Sequence, residues 1–88
     1  MVYHLIDISG KMKVNNQWKI TCNHTPEVID RIVMPIRKRG IGIKSMNYKQ
    51  FDDLGECQVE FESEEMDATR IYKNMIRVTD ILEIETNI

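Results

Sequence analysis

Residues 25 to 47, TPEVIDRIVMPIRKRGIGIKSMN, change periodicity halfway, and that change limits the folds open to the chain. In the first half Ile29, Ile32, Val33 and Ile36 recur at helical spacing, so one face of a helix has to be covered. Thr25-Pro26 is a helix entrance: threonine can cap a free amide, and proline suits a first-turn position whose N–H would be unpaired anyway. Glu27 and Asp30 sit near the positive end of the helix dipole, while Arg37, Lys38 and Arg39 close the negative end. Gly40 supplies the left-handed stop, and Pro35 removes one interior hydrogen bond and predicts a kink in the last turns. From Ile41 to Lys49 the period falls to two, with Ile41, Ile43, Ser45 and Asn47 opposing Gly42, Lys44, Met46 and Tyr48.

The same switch occurs again downstream. Asp52-Asp53-Leu54-Gly55 predicts a turn into a strand with Cys57, Val59 and Phe61 inward and Glu56, Gln58, Glu60 and Glu62 outward. Ser63 is a candidate cap for a second helix, whose first turn carries Glu64, Glu65 and Asp67 and whose buried stripe is Ala68, Ile71, Tyr72, Met75 and Ile76. ILEIETNI then alternates Leu82, Ile84, Thr86 and Ile88 against Ile81, Glu83 and Glu85. Upstream, QWKITCN places Trp18, Ile20 and Cys22 on one side of a strand. VYHLIDI, residues 2 to 8, reads as an extra strand or an arm.

Strand, helix, strand, strand, helix, strand is the ferredoxin-like split β-α-β order in an α+β class. It predicts a four-stranded antiparallel sheet with both helices on one face and the first and third strands central. The expected core is Ile20, Cys22, Ile29, Ile32, Val33, Ile36, Val59, Phe61, Tyr72, Met75, Ile76 and Ile84.

Many functions use this fold, so the site must decide. With 88 residues, 30% of them charged, and a formal charge of -2, the chain reads as one globular domain that does not favour nucleic acid or anionic membrane. No apolar run approaches the roughly 18–20 residues of a membrane span, and the N-terminus lacks a signal-peptide pattern, so a cytoplasmic location is expected. A base-stacking sheet needs exposed aromatics, whereas the outward positions of the central strands are Lys19, Thr21, Gln58, Glu60 and Glu62. A metal carrier of this shape needs paired cysteines before the first helix, and that loop offers His24 alone. Cys22 and Cys57 read as reduced core residues, so neither a metal nor another cofactor is expected. No glycine-rich phosphate loop opens a helix, because Gly40 and Gly42 follow one, and no catalytic residue is assigned.

Binding is what remains. The turn Asn23-His24-Thr25 leads into helix amides that either hold a carboxylate or are satisfied by Thr25 itself. The strand from Ile41 to Lys49 reads as a sheet edge open to another chain, with Met46 and Tyr48 suited to an interface and Lys44 and Lys49 serving equally as edge protection.

The stretch PEVIDRIVMPIRKRGIGIKSMN resembles the ACT domain, specifically the small regulatory subunit of acetolactate synthase (acetohydroxyacid synthase). Pro26, Arg31, Arg39-Gly40, Ile43 and Ser45-Met46-Asn47 match the family pattern in place, and Ile76 to Ile84 with Asp80 resembles its segment between second helix and last strand. The similarity spans roughly residues 17 to 86, and the short chain and Pro26-Glu27 entrance are most similar to the bacterial isozyme II type.

This resemblance implies a non-catalytic subunit that dimerises side by side and activates a large thiamine-diphosphate enzyme of branched-chain amino acid synthesis. It divides the chain into an arm or extra strand, residues 1 to 14, and an ACT-like domain, residues 15 to 88. It places an amino-acid effector near His24, Thr25, Glu27, Val28, Gly40, Ile41 and Gly42, and a dimer or partner interface at Ile43, Lys44, Met46 and Tyr48. Valine-responsive members carry asparagine and glycine in the turn where this chain has His24 and Glu27. The bulk and charge of Glu27 lead to the expectation of weak or absent valine response. The alternative is a stand-alone ACT-like amino-acid sensor acting on another enzyme.

Overall fold

The computed structural model describes residues 4–6 and 12–87. Its elements run β1 (His4–Ile6), β2 (Met12–Asn23), α1 (Val28–Arg37), β3 (Ile43–Phe51), β4 (Leu54–Ser63), α2 (Glu65–Ile76) and β5 (Ile81–Glu85). From β2 onward this is the expected order, and β1 is the extra N-terminal strand. The other parts of the stretch from 2 to 8, and Ile88 in the final alternation, lie outside the described residues.

All strand pairs are antiparallel, with β2 and β4 central, β3 beside β4, and β5 beside β2. Val14 pairs with Ser63 on one side and His4 on the other, while Ile20 pairs with Cys57 and Ile84. β1 and β5 therefore share one flank of the long strand β2. That strand crosses the expected boundary between residues 14 and 15.

Both helices cover one sheet face. Ile20, Cys22, Cys57, Val59, Phe61 and Ile84 from the sheet meet Val28, Ile32 and Ile36 of α1 and Ile71 and Met75 of α2 in a single core. Trp18 belongs to that core as well, with its ring edge-on to Phe61 at 5.0 Å and to Tyr72 at 6.2 Å. The buried stripe of α1 keeps Ile32 and Ile36 of the expected one and takes Val28 as its third member. Val28, Ile32 and Ile36 repeat every fourth residue, whereas Ile29 is 42% exposed and Val33 half-buried. Ile76, also expected inside, is 37% exposed at the end of α2, and Tyr72 is half-buried.

Two bulges account for the strand alternation that sequence pattern misassigns. Ile43 pairs with Phe61 and Ser45 with Glu60, so Lys44 is an extra residue on β3. It resets the phase: Ile43, Met46 and Tyr48 pack inward, while Ser45 joins the open face. Along β5, Thr21 pairs with Glu83 but Cys22 with Ile81, which leaves Leu82 extra and 50% exposed. Ile81 and Ile84 both reach the core as a result.

The helix starts differ from expectation too. α1 begins at Val28, after Glu27, so Pro26 lies in the preceding turn and not in the helix. Ser63 is the last residue of β4; its hydroxyl donates to the Glu64 carbonyl and receives the Asn16 amide, so it does not cap α2. Asp52 and Asp53 alone make the β3–β4 turn, with Asp52 in the left-handed region at φ 53°, and Leu54 and Gly55 belong to β4. Gly40 has φ 72° and stops α1 as expected. Pro35 is tolerated inside α1, which continues through Arg37.

Candidate functional site

The loop from β2 to α1 is pinned at three points. The Asn23 amide donates to the Asp80 carbonyl, 2.8 Å, and the His24 amide to the Asp53 carbonyl, 3.0 Å. Thr25 does not close the helix. Its hydroxyl donates to the Asp80 carboxylate at 3.4 Å, and no side-chain hydrogen bond caps the helix at Glu27. The Thr25 carbonyl accepts from Val28 and the Glu27 carbonyl from Arg31. Between them, the Ile29 and Asp30 amides have no backbone or side-chain partner among the described residues. The reading in which Thr25 itself satisfies these amides is not what the structure has. Such amides, at the positive end of a helix dipole, favour an anionic group.

Beside this end lies a cavity of about 270 Å³, lined by His24, Thr25, Pro26, Val28, Ile29 and Tyr48. Tyr48 comes from β3 and turns inward because of the Lys44 bulge. Its hydroxyl lies 2.7 Å from His24 Nδ1 and 4.0 Å from Cys22 Sγ. The ring rests on Gly55, where an added Cβ would collide with the Tyr48 hydroxyl and lie 2.5 Å from Cζ. A glycine facing inward in β4 is therefore the seat of the tyrosine. Burial, then the hydrogen bond with Cys22, pushes the Tyr48 phenol up to about 12, so it stays protonated at neutral pH and keeps a hydrogen to donate. Burial likewise raises the Cys22 thiol, and burial followed by the neighbouring Cys22 pushes Cys57 up to about 11. Both thiols are free, buried and protonated, which fits a packing role.

No protein-family model and no curated protein matches the sequence. The folded chain nevertheless superposes on known structures. The ACT domain of a GTP pyrophosphokinase from Chlorobium tepidum aligns over 84% of this chain and 85% of its own, with TM-score 0.70 and 13% identity. That alignment and the topology above decide the fold. It is the ACT-domain fold.

Two further neighbours carry the ACT-like fold as part of longer chains. The small subunit of acetolactate synthase from Thermotoga maritima aligns with TM-score 0.69 and 12% identity, over 82% of this chain and 46% of that one. A homoserine dehydrogenase from Thiobacillus denitrificans aligns with TM-score 0.74 and 10% identity, over 84% of this chain and 17% of that one.

Within this ACT fold the expected effector residues fall into two groups. His24, Thr25, Glu27 and Val28 gather at the start of α1, with Val28 fully buried and Glu27 exposed at the N-cap, outside the lining of the cavity. Gly40, Ile41 and Gly42 follow its far end, and a ten-residue helix at 1.5 Å per residue separates the groups by about 15 Å. Within one chain they do not meet. Tyr48, expected only at an interface, belongs to the first group. The inward Gly55 was the available signal for a large ring from the neighbouring strand, and Asp80 was marked only by its resemblance to the family segment.

The other expected interface residues lie along β3, which pairs with β4 on one side only among the described strands. Ile43 and Met46 are half-buried against the core. Lys44 instead crosses the open face to Glu62 at 2.9 Å, Glu60 at 3.8 Å and Asn15 at 3.5 Å. Glu60 also accepts from the Asn15 amide at 2.8 Å and the Gln17 amide at 3.4 Å, and these hydrogen bonds, with Lys44 close by, hold its carboxyl below the usual range. Along the described central strands the open face carries Gln17, Lys19, Thr21, Glu56, Gln58 and Glu60 and no aromatic ring. No group of three or more His, Cys, Asp or Glu side chains suited to a metal ion occurs among the described residues. No helix there is long and apolar enough to cross a membrane.

Proposed function

We propose that the chain is a non-catalytic regulatory domain that binds an amino acid at the start of α1 and acts by contact with a partner enzyme. The observation that carries this reading is the uncapped start of α1, where the Ile29 and Asp30 amides have no partner among the described residues, beside a cavity of about 270 Å³. An amino acid's carboxylate suits those amides, and its side chain suits the cavity. The ACT domain of the GTP pyrophosphokinase and the small subunit of acetolactate synthase share the fold that frames this site.

The partner we propose is the large, thiamine-diphosphate-dependent subunit of acetolactate synthase, with the chain as a cytoplasmic small subunit of the isozyme II type. The sequence resemblance between residues 17 and 86 supports this assignment over a stand-alone sensor for another enzyme. Residues 1 to 14 are proposed to reach that partner, and residues 15 to 88 to form the effector-binding domain. A homodimer along β3 places Gly40, Ile41 and Gly42 of one copy beside His24 and Thr25 of the other. The unpaired edge of β3 and the half-buried Ile43, Met46 and Tyr48 support that arrangement. Binding then shifts the large subunit toward its more active state, which requires a higher affinity for that state. Glu27, the N-cap residue of α1, brings a negative charge close to the amides proposed to hold a carboxylate, so valine feedback is weak or absent.

Mixing the chain with purified large subunit tests the assignment. Co-elution and a faster formation of acetolactate are expected. Absence of both co-elution and a rate change would remove acetolactate synthase as the partner and leave the stand-alone sensor.

A further inference from the structure

Resting on the amino-acid-binding reading above, we propose that the cavity beside α1 selects an amino acid whose side chain carries a hydroxyl or an amide, and that the Tyr48–His24 pair makes the selection. The walls contributed by Pro26, Val28 and Ile29 are apolar and would accept any small side chain. What distinguishes the cavity is the hydrogen-bonded pair in its lining, with Tyr48 Oη and His24 Nδ1 2.7 Å apart.

That single bond leaves capacity unused in either tautomer. If the phenol donates to Nδ1, its oxygen still accepts; if Nδ1–H donates, the phenol hydrogen is free. The contact with Cys22 Sγ, at 4.0 Å, is at the weak limit for sulfur and does not use up this capacity. Tyr48 cannot retreat inward, because its ring already lies against Gly55. It cannot ionise near neutral pH either, so it stays a neutral donor and acceptor. A ligand hydroxyl or amide completes the phenol's hydrogen bonding. An aliphatic side chain in the same place strips water from the phenol and returns nothing, which is the situation in which binding sites discriminate most strongly. Acidic side chains are disfavoured by the Asp80 carboxylate that holds Thr25 and by the negative charge of Glu27 at the N-cap of α1.

Threonine and valine differ by hydroxyl against methyl at nearly the same shape, which makes them the deciding pair. Calorimetric titration of the full chain with threonine, serine, asparagine, glutamine, valine, isoleucine, lysine and glutamate reads the preference directly. Threonine or another hydroxyl or amide ligand is expected to bind at least about tenfold more tightly than valine. Tyr48→Phe, with its fold checked by its urea midpoint, is expected to bring that ratio to about one by weakening the polar ligand and not valine. His24→Ala, at an exposed position, is a second route and lowers the same ratio by releasing the phenol. Valine, isoleucine, lysine or glutamate binding as tightly as the polar set overturns this inference and leaves amino-acid binding intact. An unchanged ratio in both variants also overturns it. Failure of every amino acid to bind at millimolar concentration removes the binding reading together with this one.

Discussion

Phe61→Ala is expected to lower the free energy of unfolding by about 3–5 kcal/mol. Phe61 is fully buried on the central strand β4, paired with Asn16 of β2 and Ile43 of β3, and its ring meets Trp18 edge-on at 5.0 Å. Truncation leaves a void among Trp18, α1 and α2 that a sheet held from both sides does not collapse to fill. Domains of this size are stable by about 5–15 kcal/mol in all, so the loss is a large fraction. Urea denaturation measures it. A loss under about 1.5 kcal/mol would mean that the site is less tightly packed than the structure shows.

Gly55→Ala has the second large effect, of a different kind. The new methyl occupies the place of the Tyr48 ring, so the tyrosine has to swing away from His24 and Cys22. Overpacking of this sort destabilises by about 1–3 kcal/mol. It should also abolish the preference for polar amino acids, because the phenol leaves the cavity. Tyr48→Phe does not relieve the clash, since ring carbons as well as the hydroxyl are involved. Tyr48→Ala does. The Gly55→Ala/Tyr48→Ala double variant is therefore expected to lose less than the sum of the two single changes, by about 1 kcal/mol or more. Strict additivity would show that the ring does not rest on Gly55.

Sequence pattern was enough for the architecture because every element carries its own periodicity and stop. Gly40 ends α1, the Asp52-Asp53 turn fixes the register of β3 on β4, and alternation in Cys57, Val59 and Phe61 has one solution. The errors are local and have local causes. Lys44 and Leu82 are single extra residues, and a bulge reverses alternation without leaving a mark in composition. Val28 and Ile29 are both apolar, so either can begin the α1 stripe that continues through Ile32 and Ile36. Only the approach of α1 to the sheet selects Val28.

The candidate site was legible in part for a similar reason. His24 and Thr25 stand next to a helix start and announce themselves. That Thr25 would turn to Asp80, 55 residues away, depends on the α2–β5 loop coming to rest beside β2. Tyr48 enters the cavity only because the Lys44 bulge turns it inward and Gly55 leaves room for its ring. Family likeness groups Gly40, Ile41 and Gly42 with His24, whereas the chain by itself holds them at the opposite end of α1.

Amide resonances at the start of α1 report on the central claim most directly. In a ¹⁵N-labelled sample titrated with threonine, saturable shifts are expected at Ile29 and Asp30, with smaller ones at His24, Val28 and Tyr48 and none at Gln58 or Glu60 on the open sheet face. Saturable shifts on that face while Ile29 and Asp30 stay still, or no shifts with any amino acid, would contradict the account.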